Sequence, residues 1–102
     1  LAKTPKFEVV FVPSALDDVG FLKKGAQNVV LDAIDEQLTV APLIQTRNRK
    51  PLRPNELSSW EMRIGVHRVF YDVDESNHSV IVRAVGWKEH NKLFIRGKEY
   101  LL

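Results

Sequence analysis

The chain contains no cysteine. That excludes disulfide scaffolding, thiolate nucleophiles and cysteine-ligated zinc, and it suits a reducing cytoplasm. No apolar run reaches the roughly 20 residues of a membrane-spanning helix. The start of the chain carries no secretory signal pattern, so neither membrane insertion nor export is expected. Leu1 stands where an initiating methionine would, as in a trimmed terminus. Glycine is sparse, five in 102 residues, and scattered, so there is no glycine-rich phosphate cradle. His67, His78 and His90 lack the carboxylate or cysteine spacing of a metal site, and no metal or other cofactor is expected. Arginine is missing altogether from residues 1–46.

What is present is a core-forming chain: hydrophobic residues make up 44% of 102 positions, enough to close a core within one domain spanning 1–102. The net charge of +2 conceals an asymmetry. Residues 1–46 carry four lysines against six acids, whereas residues 47–102 carry eleven basic and seven acidic side chains, including all seven arginines. Arginine offers planar, bidentate recognition of phosphate, so the C-terminal half is where an anion is expected to bind.

"KFEVVFV" (6–12) alternates and predicts a strand, ended by Pro13. Ser14 is placed to cap a helix running to about Lys24 that buries Leu16, Val19 and Leu22, with Gly25 as its terminator. A second helix over 26–38 follows from the i, i+4, i+8 spacing of Val30, Ile34 and Leu38. Residues 41–58 hold three prolines and the basic run "RNRKPLRPN", and are expected to form an ordered loop presenting Arg47, Arg49, Lys50 and Arg53. Strands are expected over 59–64, 67–73 and 79–88, with a turn at "DESNH". Residues 89–102 fit a short helix, a strand or a tail equally well. The order strand, helical hairpin, three-stranded antiparallel meander makes an α+β fold.

Gly65 between "WEMRI" and "HRVFYDV" predicts a two-residue hairpin turn. In that register Ile64 faces His67 and Arg63 faces Arg68. Trp60, Met62, Ile64, His67, Val69 and Tyr71 then share the apolar face under the helices. Glu61, Arg63, Arg68 and Phe70 share the other. A one-residue slip would send the arginines inward, so the pattern resists it. With Val80, Val82 and Ala84 pointing inward, the third strand adds Arg83 and Trp87 to the polar face. An open basic surface with interspersed rings suits single-stranded nucleic acid. The structural alternative is an ion network of Glu61 with Arg63 or Arg68 and rings packed beneath the C-terminal tail.

These features resemble one known family. Residues 52–94, "LRPNELSSWEMRIGVHRVFYDVDESNHSVIVRAVGWKEHNKLF", are similar to RelE/ParE-type toxins of bacterial toxin–antitoxin pairs. The marks are a loop leucine with a basic neighbour, aromatic-x-x-Arg-Ile, x-Arg-Val-x-Tyr-x-Val, and Val-Gly-x-Lys; "FEVVFVPSALDDVGFLKK" extends the resemblance over nearly the whole chain. It implies the RelE-like fold, with an active site on the concave face of the sheet. It implies a cytoplasmic toxin that cleaves mRNA on the ribosome without metal, through attack of the 2′-hydroxyl on the adjacent phosphodiester. The alternatives are a ParE-like inhibitor of DNA gyrase or a non-catalytic member. It also implies a cognate antitoxin.

Carried over residue by residue, Arg68 corresponds to a phosphate-stabilising arginine and Lys88 to a phosphate ligand or acid. Arg63 and Glu61 stand where the nuclease has lysines, and an arginine does not act as a base. Glu61 and His90 are the substitute bases. His67 is expected in the core and His78 in solvent. Phe94 falls near a base-stacking tyrosine. Arg47, Arg49, Lys50, Arg53, Arg83, Trp87 and Phe94 complete the expected RNA-contacting set.

Overall fold

The computed structural model describes residues 5–101. Strand β1 (Glu8–Phe11) leads into helices α1 (Pro13–Phe21) and α2 (Lys24–Ala33), the latter continued by a π-helical turn, Ile34–Leu38. Six further strands follow: β2 (Arg49–Pro51), β3 (Trp60–Ile64), β4 (His67–Asp74), β5 (Ser79–Glu89), β6 (Lys92–Ile95) and β7 (Lys98–Tyr100). They form one sheet in the order β2-β3-β4-β5-β6-β7, antiparallel throughout, with β1 added parallel to β5. The α+β order holds, but the meander has β2 added before it and β6 and β7 after it.

The helical hairpin is displaced from the expected boundaries. Pro13 opens α1 rather than merely closing β1, with Val12 as N-cap and no side-chain cap; the ring's fixed φ and missing N–H suit the first helical position. Ser14 is therefore inside the helix. The chain leaves α1 through an extended Leu22, whose carbonyl accepts from Gln27 Nε2 at 2.8 Å. Gly25 lies within α2 and terminates nothing. Ala15, Asp18, Val19 and Leu22 face inward, and Leu16 is exposed.

Ala15, Val19 and Leu22, with Val30, Ile34 and Leu38, pack on Met62, Val69, Tyr71, Val80, Val82 and Val85 as the main core. The β3–β4 register is the expected one, with Trp60 opposite Tyr71, Arg63 opposite Arg68 and Ile64 opposite His67. Gly65 turns the hairpin at φ +59. Glycine at the first turn position is what a type II′ hairpin selects.

β5 departs from simple alternation. Between Tyr71↔Val82 and Phe70↔Ala84 the ladder shifts, leaving Arg83 as a bulge residue. One extra residue reverses the facing of everything beyond it. Val85 and Trp87 turn toward the helices, while Ala84 joins the opposite face with Phe70, Leu93 and Ile95.

The second edge of β5 is shared: β1 occupies it from Ser79 to Val82, and β6 from Trp87 to Glu89. In the gap, the Val85 N–H donates to Asp18 Oδ2 at 3.0 Å. Asp18 is 1% exposed and its other oxygen is paired with Arg96. Arg96 Nη1 also reaches the Ser14 carbonyl at 3.0 Å. One α1 carboxylate thus joins helix, β5 and the β6–β7 turn.

Burial raises the Asp18 pKa above its ordinary value, against the lowering effects of the Val85 N–H and Arg96. A folded-state pKa above the unfolded one means that ionisation disfavours the fold. Relative to Asp18→Asn, wild-type stability is expected to rise as pH falls through the raised pKa and to level off below the unfolded value. Denaturant melts of both proteins across that range check it; a difference independent of pH refutes it.

Candidate functional site

The face of the sheet away from the helices was expected to be open. It is largely filled. Phe70, Ala84, Leu93 and Ile95 form a second apolar cluster, covered by Leu52, Leu57 and Tyr100. The covering loop is organised by Asn55, whose Oδ1 accepts from the N–H groups of Leu57 (2.6 Å) and Ser58 (3.0 Å) and whose Nδ2 donates to the carbonyls of Arg53 (2.7 Å) and Ser58 (2.8 Å). From the other side, β7 brings Tyr100 alongside Leu93. The sheet curls so far that its last strand and the 52–58 loop meet over this face.

The two opposed arginines separate. Arg68 is 5% exposed and Glu61 is 6% exposed. Arg68 Nη1 donates to the carbonyls of Gly65 (2.8 Å) and His67 (3.0 Å). Its Nε lies 3.1 Å from Glu61 Oε1, but off the line a hydrogen bond requires, so Nε has no bonded partner. Burial lowers the Arg68 pKa, the Glu61 carboxylate raises it, and Arg63 lowers it. Arg63 stays exposed. Like charges opposite each other are tolerable here because one of them turns down onto a carboxylate.

Arg63 and Lys88 are exposed on either side of this buried pair. Arg63 faces Arg68 across β3–β4, Arg68 faces Gly86 across β4–β5, and Lys88 is the next residue of β5 on the same face. The Lys88 N–H donates to the Val66 carbonyl at 2.8 Å, which fixes β5 against the hairpin turn. Among the described residues, neither Arg63 nor Lys88 has a carboxylate within 4 Å, the ion pairs being Arg68–Glu61, Arg83–Asp72 and Arg96–Asp18. A cleft of about 220 Å³ beside Lys88 is lined by Asn91, Lys92, Leu93, Glu99, Tyr100 and Leu101.

The other expected residues scatter. Trp87 and Phe94 lie on the helix side, where Trp87 stacks on Phe21 (6.1 Å) and on Phe94 (5.9 Å), so the bulge removes both rings from the Arg68 face. Arg83 is paired with Asp72 at 2.8 Å, and Asp72 also accepts from the Ser59 N–H at 2.6 Å. Arg49 is 8% exposed, because its pairing with Met62 points it under the helices. Arg47, Lys50 and Arg53 are exposed as expected. His90 sits at the exposed tip of the β5–β6 hairpin with φ +52. His67 is half-buried beside Ile64. His78, rather than standing free in solvent, stacks on Phe7 at 3.7 Å and contacts the Pro5 carbonyl through Nε2 at 2.8 Å. Tyr100 was missed: it brings a phenol to the face where Phe94 was expected, and the unassigned C-terminal segment concealed it.

No cluster of three or more His, Cys, Asp or Glu side chains able to hold a metal occurs among the described residues. Within them, no helix is long and apolar enough to cross a membrane.

The helical hairpin on a curled, mainly antiparallel sheet is an arrangement shared with RelE proteins of solved structure. Two solved structures make the likeness concrete. The toxin–antitoxin complex RelBE2 of Mycobacterium tuberculosis matches at 26% identity with a TM-score of 0.73, covering 84% of this chain and 95% of that one. The archaeal RelE–RelB complex of Pyrococcus horikoshii matches at 16% identity with a TM-score of 0.67, covering 83% and 98% respectively. No protein-family model and no curated protein sequence matches the chain. By structure, the chain has the RelE-like fold.

Proposed function

We propose that the protein is the toxin of a toxin–antitoxin pair and acts as a metal-independent endoribonuclease on ribosome-bound mRNA. The observation that supports this reading best is the pair of exposed, unpaired cations, Arg63 and Lys88, flanking the Glu61–Arg68 ion pair on the inner face of a RelE-like sheet. In this reading Arg63 and Lys88 hold the scissile phosphate and stabilise its added negative charge. Glu61, oriented by Arg68, takes the proton of the attacking 2′-hydroxyl. Lys88 or the Tyr100 phenol returns a proton to the departing 5′-oxygen. Both solved relatives are complexes with an antitoxin, which supports a cognate antitoxin for this chain as well.

Mapping mRNA 5′ ends after adding the protein to a translating extract tests the nuclease. New ends are expected with wild type. Lys88→Ala and Arg63→Ala are each expected to reduce them on the order of 10²–10³-fold, the cost of losing one transition-state donor. Translation arrest without new ends refutes cleavage. A second reading, gyrase inhibition by a non-catalytic member, is favoured by the burial of Glu61 and Arg68. Inhibited supercoiling by purified gyrase together with intact mRNA would establish it.

A further inference from the structure

The segment between the π-helical turn and β3 exposes three aliphatic side chains, Val40 (64%), Leu43 (39%) and Ile44 (59%). They are not on a slack loop. Pro42 between them is fully buried, and its carbonyl accepts from the Tyr71 hydroxyl at 2.7 Å. The Ala41 N–H donates to the Gln37 carbonyl at 3.0 Å. The Ile44 carbonyl accepts from Arg49 Nε at 3.2 Å, and Arg49 Nη1 donates to Gln37 Oε1 at 2.6 Å. The Thr46 N–H bonds the Arg49 carbonyl at 2.9 Å, and Thr46 Oγ1 accepts from the Arg49 N–H at 3.1 Å. Buried groups therefore hold the aliphatic tips outward, so little ordering entropy remains to be lost on contact.

The charge beneath them is uncompensated. Arg49 is buried, yet its guanidinium meets only neutral oxygens, those of Gln37 and Ile44. Arg47 and Lys50 beside it are exposed. Among the described residues, none of the three has a carboxylate within 4 Å. A buried cation without a counter-ion attracts an anion above it more strongly than a solvated one does. The patch lacks the rings that stack nucleobases and the aromatic rim typical of membrane interfaces.

We infer that residues 40–50 form a docking surface for an acidic, aliphatic-bearing segment of the cognate antitoxin, whose apolar side chains cover Val40, Leu43 and Ile44 while its carboxylates meet Arg47, Lys50 and the charge of Arg49. This inference rests on the toxin–antitoxin reading above. It places most of the partner's grip outside the Glu61–Arg68 face, which the segment reaches only through Lys50, the cross-strand partner of Glu61.

The test uses the full chain titrated with the purified product of the neighbouring gene. Val40→Ser/Ile44→Ser is expected to weaken Kd roughly 10- to 100-fold, as hot-spot losses do, while mRNA cutting by the free protein is unchanged. Arg47→Glu/Lys50→Glu is expected to weaken Kd about tenfold or more at low salt, with the loss shrinking as salt rises. Matching thermal melts show that both variants fold. A complex whose Kd neither variant alters overturns this surface and leaves the toxin–antitoxin reading standing. Absence of any complex with wild type overturns both. Binding of anionic vesicles or single-stranded RNA that Val40→Ser/Ile44→Ser abolishes, with antitoxin affinity intact, also overturns it by assigning the patch another occupant.

Discussion

Arg68→Ala is expected to cost the protein its fold stability and, on the nuclease reading proposed above, its mRNA cutting, and the two losses are separable. Removing the guanidinium leaves Glu61, only 6% exposed, without its counter-ion. Stranding one member of a buried pair typically costs about 3–5 kcal/mol. In a domain of this size each 1 kcal/mol shifts the melting point by roughly 4–8 °C, so a fall on the order of 15 °C or more is expected. Replacing both partners, Glu61→Gln with Arg68→Met, leaves no unpaired charge and is expected to restore most of that stability. It is not expected to restore mRNA cutting if, as proposed, Glu61 is the base and Arg68 its orienting group. Calorimetry and 5′-end mapping on the three proteins distinguish the roles. If the double variant cuts at the wild-type rate, the pair is structural only.

Gly86→Ala is expected to be the most damaging single methyl group in the chain. A Cβ built at Gly86 would lie 2.2 Å from the Phe94 carbonyl oxygen and 3.0 Å from Ile95 Cγ1. The first of these is backbone in the neighbouring strand, so relief requires parting β5 from β6. Overpacking costs typically about 1–3 kcal/mol where side chains can adjust; with a backbone oxygen in the way, about 3 kcal/mol or more is expected. Gly20→Ala is the control. It lies inside α1 with nothing within 4 Å of the new methyl, and is expected to stabilise by roughly 0.5–1 kcal/mol through helix propensity alone. Urea titrations of the two variants should move in opposite directions. Equal and small shifts would show that β6 can slide away from β5 at no cost.

The hairpin register could be read directly because alternation and a turn glycine agreed on it. Trp60, Met62 and Ile64 alternate with Glu61 and Arg63, and only one pairing with β4 buries the apolar set. The fate of β5 could not be read in the same way. "VIVRAV" supports either parity, and the bulge at Arg83 exists to satisfy tertiary packing on both faces. The error about Trp87 follows from that one residue; Phe94 was placed by the resemblance, and its pairing with Trp87 carries it to the helix side. β2 escaped notice because three residues ending in Pro51 carry too little pattern, and its parity decides that Arg49 points inward. The C-terminal hairpins turn at Asn91 and Gly97, both with positive φ, residue types that permit a turn without requiring one. Arg96 shares that conformation although arginine seldom adopts it, which hid the second turn. The buried state of Arg68 was least accessible of all, since it rests on its guanidinium turning back to the Gly65 and His67 carbonyls and to Glu61.

The shared edge of β5 has a consequence for biosynthesis. β1 leaves the ribosome well before its strand partner, which begins at Ser79, and the Asp18 side chain of α1 awaits both Val85 and Arg96. Contacts this distant along the chain close slowly, because loop entropy is lost before they form. The helical hairpin must therefore emerge without the sheet that buries it, and the native fold completes only once β5 and Arg96 have been made. Throughout that interval Val19, Val30 and Leu38 lack their β-strand neighbours, a period in which the nascent chain is open to capture by another polypeptide or to aggregation.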